Sequence, residues 1–422
     1  MPRILIKNAK ALVGTHAPEV RRVAGAQMAD LPLIENAWLQ AENGRITGMG
    51  PMTDFPGVTD WNDLTVIEAE GRLVLPGWCD PHTHTVFAAP REQEFVDRIN
   101  GLSYQEIAAR GGGILNSARK LRDMSADDLY DQARQRLEEM MRQGTVAVEI
   151  KSGYGLTVES ELKMLHVIAR LRETLPLRIK ATLLAAHAIP PEFMNDRKAW
   201  VDRIVEELIP VVAREHLADH VDVFCETNYY TVEEMDRILQ AGAEHGLPGK
   251  VHVNQFTSIG GIQAAVANKA WSVDHLEVMR PEDIDALIGS GTIPTVLPSC
   301  SFFLNIPYAP VRDLITAGLP VALATDHNPG STPSGNMNFI LSLACLELRM
   351  LPEEAVNAMT INAASAMGMS DHFGALSVGR NASLIITRPV PSLAYLPYAF
   401  GTDHIDTVII DGTIIRSGTA IP

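Results

Sequence analysis

The sequence predicts an α/β fold: a (β/α)8 barrel of the TIM type, with a second, small β-sandwich domain built from both chain ends. Three observations predict it. Between residues 76 and 373, apolar runs alternate with helical patterns, which specifies a parallel sheet or barrel, and the runs number eight. Several runs end in residues that can carry chemistry: His82 with His84, His187, His252, His275 and Asp326. The C-terminal ends of barrel strands are where such folds keep their sites. The flanking segments, 1–75 and 374–422, hold short strand patterns separated by turn residues. Neither is large enough to bury a core alone, so the two are expected to pair.

In order, strand patterns fall at residues 4–6, 37–40, 45–49 and 65–68, with Glu42-Asn43-Gly44 as a turn. The run from Val74 to His84 reads as a short apolar strand ending in His-x-His. Residues i and i+2 of a strand share a face, so two imidazoles can aim at one point. A long loop follows, broken by Gly111-Gly112-Gly113. Ser125 with Asp128 marks a helix start. Leu129, Ala133 and Leu137 give that helix an apolar stripe, and Gly144 stops it. A strand at 145–150 leads into Lys151-Ser152-Gly153-Tyr154-Gly155, and the next helix begins near Thr157. Further strands are expected at 178–186, 220–224, 250–253, 272–276, 292–297 and 320–325. Thr231 and Glu234 form a capping box for the helix after the 220–224 strand, which Gly246 closes. Near the C-terminus, runs at 382–387 and 405–410 precede Asp411-Gly412, a strong hairpin signal.

Composition narrows the function classes. The 46% hydrophobic and 20% charged content is that of an ordinary globular enzyme. A formal net charge of −16 argues against nonspecific nucleic-acid binding and against an anionic membrane surface. Cys79, Cys225, Cys300 and Cys345 are far apart and form no C-x-x-C pair. The first residues make a strand pattern without the apolar core of a secretory signal, and no run is long enough for a membrane span. Reduced thiols in a cytoplasm are the expectation.

His82, His84, His252 and Asp326 make a set of three histidines and a carboxylate on strands one, five and eight. Its nitrogen and oxygen donors suit zinc, iron or manganese, and it leaves a position for water. Taken singly, a strand-end histidine is often only a solvated or capped residue. Four donors at matching strand ends make coincidence a poor explanation. His275, in Asp274-His275-Leu276-Glu277, can donate to a developing oxyanion. His327 follows Asp326, points to the other face and is left out of the site. His166, His216, His220 and His245 are read as structural or exposed.

These residues reach a family. The stretch Pro76-Gly77-Trp78-Cys79-Asp80-Pro81-His82-Thr83-His84 resembles the opening motif of the amidohydrolase superfamily. So do the later His, His and Asp, and the return Gly374-Ala375-Leu376-Ser377-Val378-Gly379-Arg380. Within the superfamily the chain is most similar to the enzymes that open a cyclic amide in histidine degradation. Residues 86–95, 109–114 and 148–156 carry that likeness, which runs over essentially the whole chain.

The resemblance implies one mononuclear iron or zinc ion per chain, with His82, His84, His252 and Asp326 as ligands. It implies that Arg91, Tyr154, His187, Gln255, Asn328, Gly330 and Ser331 contact substrate or product. It implies hydrolysis of 4-imidazolone-5-propanoate to N-formimino-L-glutamate, in a homodimer. On this reading metal-bound hydroxide attacks, Asp326 accepts its proton and His275 steadies the tetrahedral oxyanion. Arg91 offers a two-pronged cation for the propionate. Asn328, Gly330 and Ser331 would offer free backbone N–H groups.

One departure matters. Related deaminases place Glu three residues after the strand-five histidine, where this chain has Gln255. An amide cannot accept and redeliver a proton. The general acid for the leaving nitrogen then falls to Asp326 or His275. A deaminase on the same scaffold and a non-catalytic metabolite-binding barrel are the alternatives. Hydantoinase-like enzymes that carbamylate a strand-four lysine are a third, but here that strand ends in Cys225-Glu226.

Overall fold

The computed structural model describes residues 3–102, 106 and 112–418. Residues 109–111 of the family-like 109–114 segment lie outside them.

One mixed sheet is made from both chain ends. It contains β1 (Arg3–Val13), β2 (Leu33–Glu42), β3 (Arg45–Pro51), β4 (Leu64–Glu68), β5 (Leu73–Pro76), β14 (Leu384–Thr387), β15 (Ile405–Ile410) and β16 (Thr413–Arg416). Its order is β16-β15-β14-β5-β1-β2-β3, with β4 also paired to β1. Apolar side chains from both ends form a single cluster that includes Ile4, Ile6, Leu39, Ile46, Leu384, Ile386 and Ile409. The turns at Asn43-Gly44 and Asp411-Gly412 both have positive φ, as tight hairpins require.

The barrel strands are β6 (Trp78–Thr83), β7 (Thr145–Lys151), β8 (Arg178–Ala186), β9 (His220–Cys225), β10 (Gly249–Val253), β11 (Ser272–His275), β12 (Ile293–Val296) and β13 (Ala322–Leu323). All are parallel and adjacent in sequence order. The seam between β13 and β6 is short. Asp326 N donates to His82 O at 3.1 Å, and His84 N donates to His327 O at 2.9 Å. Buried Asp80 accepts from Thr325 N at 3.0 Å and from Thr325 Oγ1 at 2.6 Å. The bonds that close the barrel therefore also fix three of the expected metal ligands.

Two expectations need correction. The run from Val74 to His84 is two strands in two sheets, β5 and β6, which meet at Gly77. Gly77 N bonds to Ser383 O of the first sheet, and Trp78 N bonds to Gly144 O of the barrel. A continuous apolar run does not reveal which sheet each half joins. The stretch read as a long loop after His84 contains helices α1 (Glu92–Ile99) and α2 (Ile114–Asp123) before α3 (Ala126–Arg142). The helix starts were legible: Ser125 Oγ accepts from Asp128 N, and Thr231 with Glu234 forms the full capping box.

A Cβ at Gly77 would stand 2.1 Å from Val146 Cγ1 and 2.7 Å from Cγ2, with no room for it at the crossover. Overpacking of this kind costs about 1–3 kcal/mol. Gly77→Ala is expected to lower the urea unfolding midpoint accordingly. An unchanged midpoint would contradict the reading of Gly77 as the obligatory crossing point.

Candidate active site

The strand-end positions turn a ring of side chains toward one point at the C-terminal end of the barrel. His82 Nε2 lies 3.2 Å from His84 Nε2, and His252 Nε2 lies 3.4 Å from His84 Nε2. Asp326 Oδ1 is 3.6 Å from both His82 Nε2 and His84 Nε2. All four residues are buried. Bonds of about 2.0–2.1 Å to a four-coordinate ion place neighbouring ligand atoms about 3.3–3.4 Å apart. His82, His84 and Asp326 group closely enough to share one ion, and His252 adjoins that group through His84 at a comparable spacing.

At His82 the proton arrangement suits a metal ligand as well. Asp274 Oδ2 accepts from His82 Nδ1 at 2.7 Å, which leaves the Nε2 lone pair facing the other donors. Burial first, and then the charges of Lys151 and the neighbouring imidazoles, hold His82 well below the ordinary histidine value. His84 is lowered by burial and then by His187. Neutral imidazoles with lone pairs in contact repel one another, and a cation between them removes the conflict. Burial also pushes the Asp326 carboxyl up, so a nearby cation is what would keep it ionised.

Behind the histidines lies a charge network that the sequence reading missed. Lys151 Nζ is 2.6 Å from Glu149, 2.7 Å from Asp222 and 3.5 Å from Asp274. Lys250 Nζ bonds to Glu149 as well. Asp222 Oδ2 stands 3.0 Å from His252 Nδ1, as Asp274 stands behind His82. All five network side chains are completely buried. The signal was present: Glu149 and Lys151, then Lys250 and His252, alternate along strands and so share the inward face.

The remaining expected residues ring this centre. The His187 ring stacks on His84 with centroids 5.2 Å apart, and Tyr154 lies 5.4 Å from His187. Burial pushes His187 down to about 3, so it is neutral. His275 Nδ1 meets Glu277 Oε1 at 3.3 Å. Gln255 Nε2 lies 3.4 Å from Cys300 Sγ. Glu277 and Cys300 are site neighbours that sequence reasoning passed over.

The loop after Asp326 corrects one expectation. The N–H groups of Gly330 and Ser331 are not free: both donate to Asn328 Oδ1 at 2.8 Å. Asn328 Nδ2 donates to Asp326 O at 2.7 Å, and Ser331 Oγ donates to Asp326 Oδ2 at 3.2 Å. The loop uses its donors to shape itself and to hold Asp326, with Oδ1 left toward the histidines. Arg91 is likewise engaged, by Glu94 Oε2 at 2.9 Å from Nε and 2.5 Å from Nη2.

Outer partners of metal-binding histidines typically change metal affinity by about 10–100-fold. Asp274→Asn is expected to weaken binding of the metal by about that factor in chelator competition, with the circular dichroism spectrum kept. Equal affinity in the variant would show that Asp274 does not hold His82.

Comparison with known proteins agrees with this geometry. The amidohydrolase family pattern matches residues 73–415. An imidazolonepropionase of Flavobacterium johnsoniae is 56% identical over 411 residues, covering 97% of this chain and 99% of that protein. One from Christiangramia forsetii is 54% identical, covering 98% and 100%. Among solved structures, a triazine hydrolase variant has a TM-score of 0.75 at 18% identity, covering 99% of this chain and 95% of the other. Guanine deaminase of E. coli has a TM-score of 0.75 at 14% identity, covering 99% and 100%. At those identities the solved structures speak for the fold alone. The chain belongs to the amidohydrolase family, in the branch whose named members are imidazolonepropionases.

Proposed function

We propose that this hydrolase opens the ring of 4-imidazolone-5-propanoate at its amide C–N bond and yields N-formimino-L-glutamate, a step of histidine degradation. The observation that carries the reading is the four-donor set of His82, His84, His252 and Asp326, in a chain 52–56% identical to imidazolonepropionases along nearly its full length. These four residues would hold one iron or zinc ion. Such an ion polarises a carbonyl oxygen and lowers the pKa of a water toward neutrality.

The chain's own groups do the rest. Asp326 accepts the proton of the attacking water, while Ser331 bonds to its Oδ2. His275 is buried, which acts to lower its pKa, but the charge and hydrogen bond of Glu277 outweigh this and raise it. His275 donates a ring N–H to the oxyanion as the ring carbonyl becomes tetrahedral. Asp326 or His275 then returns a proton to the leaving ring nitrogen. Gln255 cannot carry that proton and acts as a positioning amide. Tyr154 and neutral His187 supply directional polar groups, and Arg91 faces the propionate.

Purified metal-loaded protein given fresh imidazolonepropionate is expected to form formiminoglutamate with no ammonia. Ammonia release would establish a deaminase instead, and no product would defeat the proposal. Arg91 tests the substrate itself. Hydrogen bonds to charged groups are worth about 1.5–3 kcal/mol, or about 10- to 150-fold. Arg91→Ala should raise KM or lower kcat/KM within that range, with metal content unchanged. Lysine should rescue only in part, because it lacks the planar fork. Unaltered kinetics would mean that the carboxylate is held elsewhere.

A further inference from the structure

The propionate tail carries one negative charge into a protein whose net charge is −16, so it needs a local cation. Arg91 is only half of an answer. Its guanidinium is already matched by Glu94, through both Nε and Nη2. Glu94 is in turn fixed by accepting from Gly113 N at 2.9 Å. A bound carboxylate that relied on Arg91 alone would compete with a built-in one.

A second arginine stands on α1. Arg98 lies in the last turn of α1, and Arg91 is the residue that precedes its first turn. Arg98 Nη2 is 3.4 Å from Gly330 O. Gly330 is also where the Arg91 head packs: a Cβ there would stand 2.3 Å from Arg91 Nη1. The two guanidiniums therefore border one glycine of the loop that holds Asp326. The Arg98 head lies over the Phe303 ring at 4.6 Å from its centroid. Among the described residues no carboxylate lies within ion-pair distance of Arg98. Burial, and then the charge of Arg91, lower its pKa, while the charges of Glu94 and then Cys300 act to raise it.

We propose that Arg98 is a second anchor for the substrate carboxylate, shared with Arg91 across Gly330. This rests on the ring-opening reading of the site. The competing role is a purely structural one, in which Arg98 only stacks on Phe303 and shapes the rim.

The test uses metal-loaded protein and two probes, 3-(imidazol-4-yl)propanoate and its primary amide, titrated by calorimetry. Arg98→Met is expected to weaken the carboxylate probe about 10-fold, from the loss of one charged hydrogen bond. The amide should change less than about twofold, since it carries no charge to lose. Arg98→Lys should recover part of the carboxylate affinity. KM for imidazolonepropionate should rise with the carboxylate dissociation constant, while kcat stays near the wild-type value. Equal losses for both probes, or no loss for either, would overturn the proposal. Turnover by the wild type is read separately: its absence counts against the ring-opening reading, while the probe pair still decides the role of Arg98.

Discussion

The structure depends on keeping three imidazoles and a carboxylate converged in a dry barrel end. Left to themselves, ring nitrogens 3.2–3.4 Å apart would swing away. They are backed by Asp274, which accepts from His82 Nδ1, and by Asp222, which accepts from His252 N and stands 3.0 Å from its Nδ1. Those carboxylates are themselves buried, and a buried charge is destabilising unless it is paired. Lys151 pairs with both, and Glu149 joins Lys151 to Lys250. The ion network is thus better understood as an aiming device than as a source of stability. Removing one member leaves the others uncompensated, which ties the integrity of the barrel interior to that of the site.

The loops are held in the same way. Glu161 accepts from the N–H groups of Gly153, Gly155 and Leu156, which sets the turn carrying Tyr154. Glu226 accepts from Phe256 N and Thr257 N, and Asp283 from Arg280 N and the Asn254 amide, so the segment around Gln255 is clipped on both sides. Asn254, His275, Leu276 and Asp326 all have positive φ, which non-glycine residues adopt at a cost. Each lies at or just beyond the C-terminal end of a barrel strand, where the surrounding bonds can enforce it.

Much of this was legible before any coordinates. Strand period and helix caps placed eight barrel strands, because those signals are local and repeat. His82, His84, His252 and Asp326 could be singled out because each ends an apolar run. What escaped was set by tertiary contact. The division of the 74–84 run at Gly77 depends on which sheet accepts each half. Lys151 and Lys250 look like strand-end surface charges until the barrel closes around them. Helix α1 was read as loop, although Arg91, Glu94 and Arg98 carry their meaning only at helical spacing. The loop at Asn328 was expected to offer its N–H groups outward, but the side-chain amide of Asn328 itself consumes them.

Ring opening and its rivals differ in where the oxygen of water ends up. Hydrolysis of the ring amide puts one solvent oxygen on the former ring carbonyl carbon, which becomes the α-carboxylate of the product. Both ring nitrogens stay in the molecule. A single turnover in oxygen-18 water, followed by fragment mass spectrometry, reads this directly. The account predicts one label in the α-carboxylate fragment and none in the formimino fragment. Label on the formimino carbon, with a nitrogen lost to solution, would contradict it.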